Sequence, residues 1–489
     1  MDTEIKSKRG GWGSNFGFLM ASIGSAVGLG NIWGFPYKMG KSGGAVFLLL
    51  YLVLVVLVGV TVMLGELALG RRSGKSAVST YRGLSKKYTW LGYAGIVCGF
   101  CIMCFYFVLG GIVLRYAVGY FLAIFGGSEF AWSGQGTGFF GYFLTDTNSM
   151  ILFFVLYILL NILVVSGGVQ GGIEKFCNVG MPALFCLLVF IILYIACQPG
   201  AAEGYKFMFS PDFSVFSNPE IGFGRVLKNA AGQMFFSLSI GLGVMMTYGS
   251  YLGKNENLPK NSVIIVISDT LVAIMAGLAV IPAAVANGIA KGMAVSDIQL
   301  GGPNLLFATL QDVFHDMGTI GGIFGLIFYA LVLIAAISSA ISLIEAVSVT
   351  FIDHASAKGH ERDRNKVLAV VCLAITLLAC LVAVDGLGSN GIAPKDLFHI
   401  NSKADWCADW LDFMDMISEG IAMPLGAMLM SIMVGWEIKP KSLYGEIDSG
   451  YNGHIHGFYT FCIKYLCPVI MFFILLVQIS TFFGLGWFN

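Results

Sequence analysis

Charge is what this 489-residue chain has least of: Asp, Glu, Lys and Arg make up 11% of it, against roughly 25% in a typical soluble domain. With 57% hydrophobic residues and a mean hydropathy of +0.81, that scarcity excludes an ordinary water-soluble core and implies a polytopic membrane protein. The 28 basic and 28 acidic residues cancel, so no nucleic-acid-binding surface is implied and only the positions of the charges inform. Histidine is also scarce, and all six (His315, His354, His360, His399, His454 and His456) fall outside the apolar runs. No Ser-His-Asp, metal-ligand or nucleotide-binding constellation forms, which argues against an enzyme. His454 and His456 are the one pair spaced to share a metal, although solvated loop residues is the plainer reading. The 11 cysteines show no pairing pattern, and Cys98, Cys101 and Cys104 lie in an apolar run without His or acidic company, as small residues on a helix stripe do. The polar, basic start from Met1 to Gly11 leads into a full-length apolar run, unlike a cleavable signal peptide.

About eleven apolar segments approach the ~20 residues that a bilayer core demands. Their centres fall near Ile23, Val55, Phe105, Val155, Leu187, Ile240, Val272, Leu333, Ile375, Met423 and Phe472. Basic residues gather before the first, between the second and third (Arg71, Arg72, Lys75, Arg82, Lys86, Lys87), and between the eighth and ninth (Lys358, Arg362, Arg364, Lys366). The positive-inside rule makes those loops cytoplasmic. The N-terminus is then inside and the C-terminus outside, in a multi-pass protein of the cell membrane. Phe121 to Met150 carries no Lys or Arg, and Asp385 to Asp415 is weighted to Asp, as outer segments are.

Two segments are interrupted. Gly24-Ser25-Ala26-Val27-Gly28-Leu29-Gly30-Asn31 puts three glycines into the first span, and Ser237-Leu238-Ser239-Ile240-Gly241-Leu242-Gly243 interrupts the sixth with the same Gly-Leu-Gly ending. A mid-helix Gly costs roughly 1 kcal/mol relative to Ala. In hydrocarbon, backbone groups freed from a helix cost several more unless something satisfies them. Such breaks persist where they line a site, and matching breaks in two halves suggest inverted repeats around a midplane site, for which the bacterial leucine transporter is the reference case. The chain accordingly divides into a cytoplasmic N-terminal segment (1–11), a first repeat with helices 1–5 (12–200), a second repeat with helices 6–10 (201–436), and a loop with helix 11 (437–489). This is an all-α fold of eleven transmembrane helices in a 5+5 inverted repeat.

Polar residues inside spans are costly and mark pathways. Asp269, between Ser268 and Thr270 in the seventh span, either reaches interfacial water or serves as a hard oxygen ligand for a cation, with Asn31, Ser237 and the carbonyl of Ala26 as partners. Ser338-Ser339, after Ala335-Ala336, either lets helices pack closely or completes a second cation site with carbonyls of Gly24 and Val27. Glu66 and Glu345 are further intramembrane acids, suited to meeting freed backbone amides.

The run Gly11-Trp12-Gly13 through Ala26-Val27-Gly28-Leu29-Gly30-Asn31-Ile32-Trp33-Gly34-Phe35-Pro36-Tyr37 resembles the opening signature of the neurotransmitter:sodium symporters, especially their bacterial amino-acid transporters. The resemblance continues through Gly65-Glu66-Leu67-Ala68-Leu69-Gly70-Arg71, Gly232-Gln233-Met234-Phe235-Phe236-Ser237-Leu238-Ser239, Ser250-Tyr251 and Ser338-Ser339. It implies one sodium site at Ala26, Asn31, Ser237 and Asp269, completed by the substrate carboxylate. It implies a second at Gly24, Val27, Ala335, Ser338 and Ser339. The substrate carboxylate would meet the amides near Leu29 and Gly30 and the Tyr106 hydroxyl, and its ammonium the carbonyls around Ala26, Phe236 and Ser239. Its side chain would face Ser25, Ile102, Ser239, Leu242 and Leu343, next to Ser339, with the Phe236 ring closing over it.

The resemblance therefore implies a symporter that imports a neutral, large hydrophobic or aromatic L-amino acid on the sodium gradient by alternating access. A charged substrate side chain would be stranded against this wall. Asp269 supplies a permanent negative charge where relatives use chloride, so independence of chloride is expected, with Asp269 open to protonation on the return step. Arg9 and Asp353 resemble a cytoplasmic gate, packed by Trp12, Ser250 and Tyr251, while Gly172 and Pro182 carry a spacing that lets the fifth span unwind. The outer side departs from the family: Gly34 stands where most members have Arg, leaving the usual partner, Asp415, to find another donor. Glu345 and Glu419 also stand where other residues are common. The rivals are a proton-coupled transporter of the same architecture and an amino-acid sensor that does not transport.

Overall fold

The computed structural model describes residues 11–124, 136–218, 221–293, 305–360, 363–399, 405–450 and 455–483, together with 298, 300, 485 and 487. Arg9 and His454 lie outside the described residues, so the expected Arg9–Asp353 contact does too.

Long apolar helices dominate. Nine are continuous: α3 (Ala45–Ser73), α4 (Lys86–Ile124), α5 (Thr147–Ser166), α6 (Val169–Ala196), α9 (Leu258–Ala290), α10 (Ile320–Ser356), α11 (Arg364–Asp385), α12 (Trp410–Glu437) and α13 (His456–Phe482). The first expected span is a pair, α1 (Asn15–Ala26) and α2 (Gly30–Lys41), bent by 47° at the glycine-rich break. The segment around Ile240 is divided into α7 (Gly222–Leu238) and α8 (Val244–Gly249), neither of which is long enough to cross alone. The described residues thus supply nine or ten candidate spans.

Local chemistry sets several ends. Ser14 caps α1 by accepting the Gly17 N–H, and Asn257 caps α9 by accepting from Lys260, with Pro259 in the first turn where no N–H is needed. Gly74 ends α3 in the left-handed conformation at φ 63°. The break between α7 and α8 holds Ser239 at φ 52°, Gly241 at 85° and Gly243 at 80°. Two of these three positions are glycine, which alone enters that region at no steric cost.

The two breaks sit at the centre. α6, α9 and α10 pack around α1, and α3 packs along both α7 and α8. The outside of the bundle is apolar: Leu163, Leu193, Val370, Leu377 and Val469 are 63–73% exposed. A surface of that kind is stable against hydrocarbon rather than water.

Candidate functional site

Where α1 ends, the chain turns extended at Val27, whose N–H still reaches Ile23 O at 2.6 Å. The groups freed beyond that point are met by side chains. Gly28 N–H donates to Asn31 Oδ1 at 3.0 Å, and Leu29 N–H donates to Tyr106 Oη at 3.1 Å. Ser239 Oγ donates to Ser25 O at 3.1 Å and Gln233 Nε2 to Gly30 O at 2.8 Å, so the second broken segment holds the first. Glu66 accepts the Gly241 N–H at 2.7 Å, as expected of an intramembrane acid beside a break.

Two oxygen clusters flank the breaks. In one, Asn31 Nδ2 donates to Asp269 Oδ1 at 2.7 Å, to Asp269 O at 3.1 Å and to Ser237 Oγ at 3.0 Å. Ser237 Oγ in turn lies 2.9 and 2.8 Å from the two Asp269 carboxylate oxygens. Asp269 is fully buried, which excludes the interfacial-water reading. In the other cluster, Ser339 Oγ lies 3.2 Å from both Gly24 O and Val27 O, and Ser338 Oγ lies 2.9 Å from Ala335 O and 3.4 Å from Val27 O. All five residues expected at the second cation site therefore meet. The donor set is oxygen throughout, the kind that suits a hard cation. No group of three or more His, Cys, Asp or Glu side chains placed to hold a metal ion occurs among the described residues.

Between the clusters lies a small chamber. Its wall contains Ser25, Ala26, Gly30, Ile102, Tyr106, Phe236, Ser239, Leu242, Ser339 and Leu343, all expected from sequence, and carries no charge. Two expected residues stand behind the wall instead: Leu29, whose amide bonds Tyr106, and Ser237, which turns to Asp269. Gly28 joins the wall although it was not expected as a substrate contact. A Cβ there would collide with Ser339 Oγ and Tyr106 Oη, and that crowding becomes apparent only once the helices are packed. A Cβ on Gly30 would come within 2.6 Å of the Phe236 ring, so Gly30 lets that ring lie across the break.

A second small chamber shares Leu242 and Leu343 with the first. Small residues make it: Ala77, Gly92, Gly95, Gly99, Gly243 and Ala346 line it. Leu242 is thus a partition, held between two glycines in left-handed conformations.

On the α1 side of the chamber, Trp12 Nε1 donates to Tyr248 O at 3.2 Å and its ring packs edge-on against Tyr248 and Tyr251. Asp353 accepts the Ser76 N–H at 2.7 Å. Glu345 does not bond freed backbone amides. It binds Arg364 through two contacts of 2.5 and 3.0 Å and accepts the Tyr251 hydroxyl at 2.8 Å. Arg364, which stood in the sequence as one of several loop cations, is the partner that makes a carboxylate tolerable at that depth. Gly172 falls inside a wide π-helical turn, Val169–Glu174, where Glu174 accepts the Gly13 N–H at 2.7 Å.

On the α2 side, Lys38 forms an ion pair with Glu419. Asp415, one turn earlier on α12, lies in the electrostatic field of Glu419, Lys38, Asp412 and Lys228. Lysines on α2 and α7 thus lend Asp415 positive charge nearby, in the absence of an Arg at position 34.

Comparison with known proteins agrees with this architecture. Residues 9–139 and 143–489 match the sodium:neurotransmitter symporter family. The chain is 32% identical to the uncharacterized sodium-dependent transporter YhdH of Bacillus subtilis, over 96% of this chain and 98% of that one. It is 30% identical to an uncharacterized sodium-dependent transporter of Haemophilus influenzae, over 98% and 100% of the two chains. The crystal structure of MhsT in complex with L-phenylalanine superposes with a TM-score of 0.83 at 32% identity, covering 96% of this chain and all of that one. The chain belongs to the sodium:neurotransmitter symporter family, and is a membrane sodium-dependent transporter rather than an enzyme.

Proposed function

We propose that this transporter imports a neutral, large hydrophobic or aromatic L-amino acid together with sodium, independently of chloride. The observation that carries the reading is the uncharged chamber between two broken segments, flanked by one oxygen cluster containing Asp269 and another containing Ser338 and Ser339. The fold it assumes is eleven transmembrane helices as a 5+5 inverted repeat, with α1/α2 and α7/α8 as broken helices 1 and 6. The N-terminus is cytoplasmic and the C-terminus outside.

Each part of the chamber has a task in this reading. The substrate carboxylate meets the Tyr106 hydroxyl and the amides near Leu29 and Gly30, at the positive end of α2. One sodium ion sits among Ala26, Asn31, Ser237 and Asp269 and touches the substrate carboxylate, so ion and amino acid assist each other's binding by the same factor. A second sits among Gly24, Val27, Ala335, Ser338 and Ser339. Asp269 supplies a fixed negative charge within reach of the first ion, which supports chloride independence. The uncharged wall supports a neutral substrate, because a charged side chain there would lack a partner. The L-phenylalanine bound in the MhsT complex supports a large one. Transport then proceeds by rocking of the segment pairs around a fixed midplane site.

Uptake of radiolabelled leucine, tyrosine and tryptophan into proteoliposomes tests this, with an inward sodium gradient against an equal potassium gradient. Sodium-dependent accumulation of at least one, unchanged when gluconate replaces chloride, is the expected result. Accumulation that follows pH and ignores sodium would overturn the reading in favour of proton coupling. Sodium-dependent binding without accumulation would make the protein a sensor.

A further inference from the structure

Ser342 stands behind the chamber wall on α10, three residues along from Ser339, and its Oγ donates to Ser339 O at 2.7 Å. A carbonyl oxygen only accepts, so the single hydroxyl proton of Ser342 is committed there. Ser25, on α1 and in the wall, has its Oγ 2.8 Å from Ser342 Oγ and is therefore the donor of that contact. Both side chains are buried. Ser25 is left with lone pairs and no proton to offer the chamber.

The same count applies to the other hydroxyls nearby. Ser239 Oγ donates to Ser25 O at 3.1 Å, and Ser339 Oγ lies 3.2 Å from both Gly24 O and Val27 O. In the adjoining chamber, Thr247 and Thr350 each donate at 3.0 Å to the carbonyl four residues back along their own helix. Tyr106 differs, because its oxygen accepts the Leu29 N–H and its proton stays free, as a partner for the substrate carboxylate requires. The rest of the wall around the substrate side chain is apolar, formed by Ile102, Phe236, Leu242 and Leu343. Among the described side chains there, the polar ones offer acceptors and no spare donor.

We infer that Ser342 is a positioning residue that sets the hydrogen-bond polarity of this wall, so that the transporter selects amino acids whose side chain carries a donor, tyrosine ahead of phenylalanine. The inference rests on the amino-acid symport reading above and narrows its substrate class. A side chain with an O–H or N–H gains a partner in Ser25 Oγ. One without a donor leaves that oxygen unmet, and one that carries only an acceptor sets two acceptors against each other.

The test is competition by tyrosine, phenylalanine and 4-fluorophenylalanine against whichever of radiolabelled leucine, tyrosine and tryptophan binds to the purified full-length protein in sodium buffer. Fluorine is close to a hydroxyl in size and has no proton, so it controls for volume. Tyrosine is expected to bind about fivefold more tightly than either analogue, the value of one neutral hydrogen bond. Ser25→Ala removes the acceptor and should bring that ratio to about one. Ser342→Ala frees the Ser25 proton and should lower the ratio at least twofold, whereas a purely structural role would weaken all three ligands alike. Ser342→Thr keeps the hydroxyl and should keep the ratio. If one alanine variant fails to fold, the other carries the comparison. A wild-type ratio near one would overturn the inference, as would a ratio that survives in either folded alanine variant. If the wild-type protein shows no sodium-dependent binding of any of these amino acids, the symport reading fails first and the inference falls with it.

Discussion

Asn31 Nδ2 and Asp269 Oδ1 lie 2.7 Å apart, joining the first turn after the break in the first segment to the middle of α9. Ser237, on the second broken segment, completes the triangle with both Asp269 oxygens. Replacing the carboxylate by an amide keeps the shape and removes the charge. Asp269→Asn is expected to weaken apparent sodium affinity by roughly tenfold or more, since ligand charge tunes the affinity of oxygen sites. Chloride should begin to stimulate what activity remains. Sodium titrations of uptake in chloride and in gluconate check both points, and unaltered sodium dependence would remove Asp269 from the ion site.

The second oxygen cluster predicts a milder loss. Ser338→Ala and Ser339→Ala each delete one hydroxyl beside the Val27 carbonyl. Each is expected to raise the sodium concentration for half-maximal uptake by about threefold to tenfold, as loss of one polar contact to a charged group does. The double variant should lose more than either, because the two hydroxyls share a partner. A pair of variants with wild-type sodium curves would assign the serines to packing alone.

Gly30 predicts a steric effect. A methyl group there meets the Phe236 ring at 2.6 Å. Overpacking of this kind costs about 2 kcal/mol, roughly thirtyfold in a rate or equilibrium constant. Gly30→Ala should therefore cut uptake by about that factor, and Gly30→Ala with Phe236→Leu should recover part of it. Melting temperature measured alongside separates a blocked ring from a damaged fold.

The partition at Leu242 predicts a change in preference. Ala346 lines the second chamber only, so Ala346→Leu fills space beyond the partition without touching the first chamber's wall. Tryptophan uptake should fall about tenfold relative to valine uptake, in line with the effect of crowding an apolar pocket by a few carbons. Competition assays against one labelled substrate give the ratio directly. Equal loss for both amino acids would mean that the second chamber takes no part in side-chain accommodation.

Stability has its own test at Glu345, whose side chain is fully enclosed beside Arg364. Arg364→Met leaves a buried carboxylate with only the Tyr251 hydroxyl. The expected loss is about 3 kcal/mol, read as a lower melting temperature in detergent. Glu345→Gln with Arg364→Met should recover most of it, because the stranded charge is gone. A single variant as stable as the wild type would show that water reaches Glu345.

Glycines inside apolar runs were legible as breaks because a helix in hydrocarbon has no reason to contain them unless the backbone is met by something else. The wall of the chamber came instead from the resemblance to the neurotransmitter:sodium symporters, because Ile102, Tyr106 and Leu343 lie on other helices, away from either break. Gly28 escaped notice because its need for a bare backbone comes from Ser339 and Tyr106, which arrive on two other helices. Glu345 was visible as a costly acid, but its partner was not: Arg364 stood among several loop cations.

Membrane class, the positions of both breaks and the oxygen-bearing residues beside them follow from the order of amino acids alone, because burial in hydrocarbon penalises every unpaired polar group at a readable position. Helix packing settled the rest: which charges pair, that Asp269 is enclosed with Asn31 and Ser237, and that Leu242 divides two chambers. Those outcomes depend on how separate helices meet, and a contact between side chains hundreds of residues apart leaves no trace in the local pattern of either.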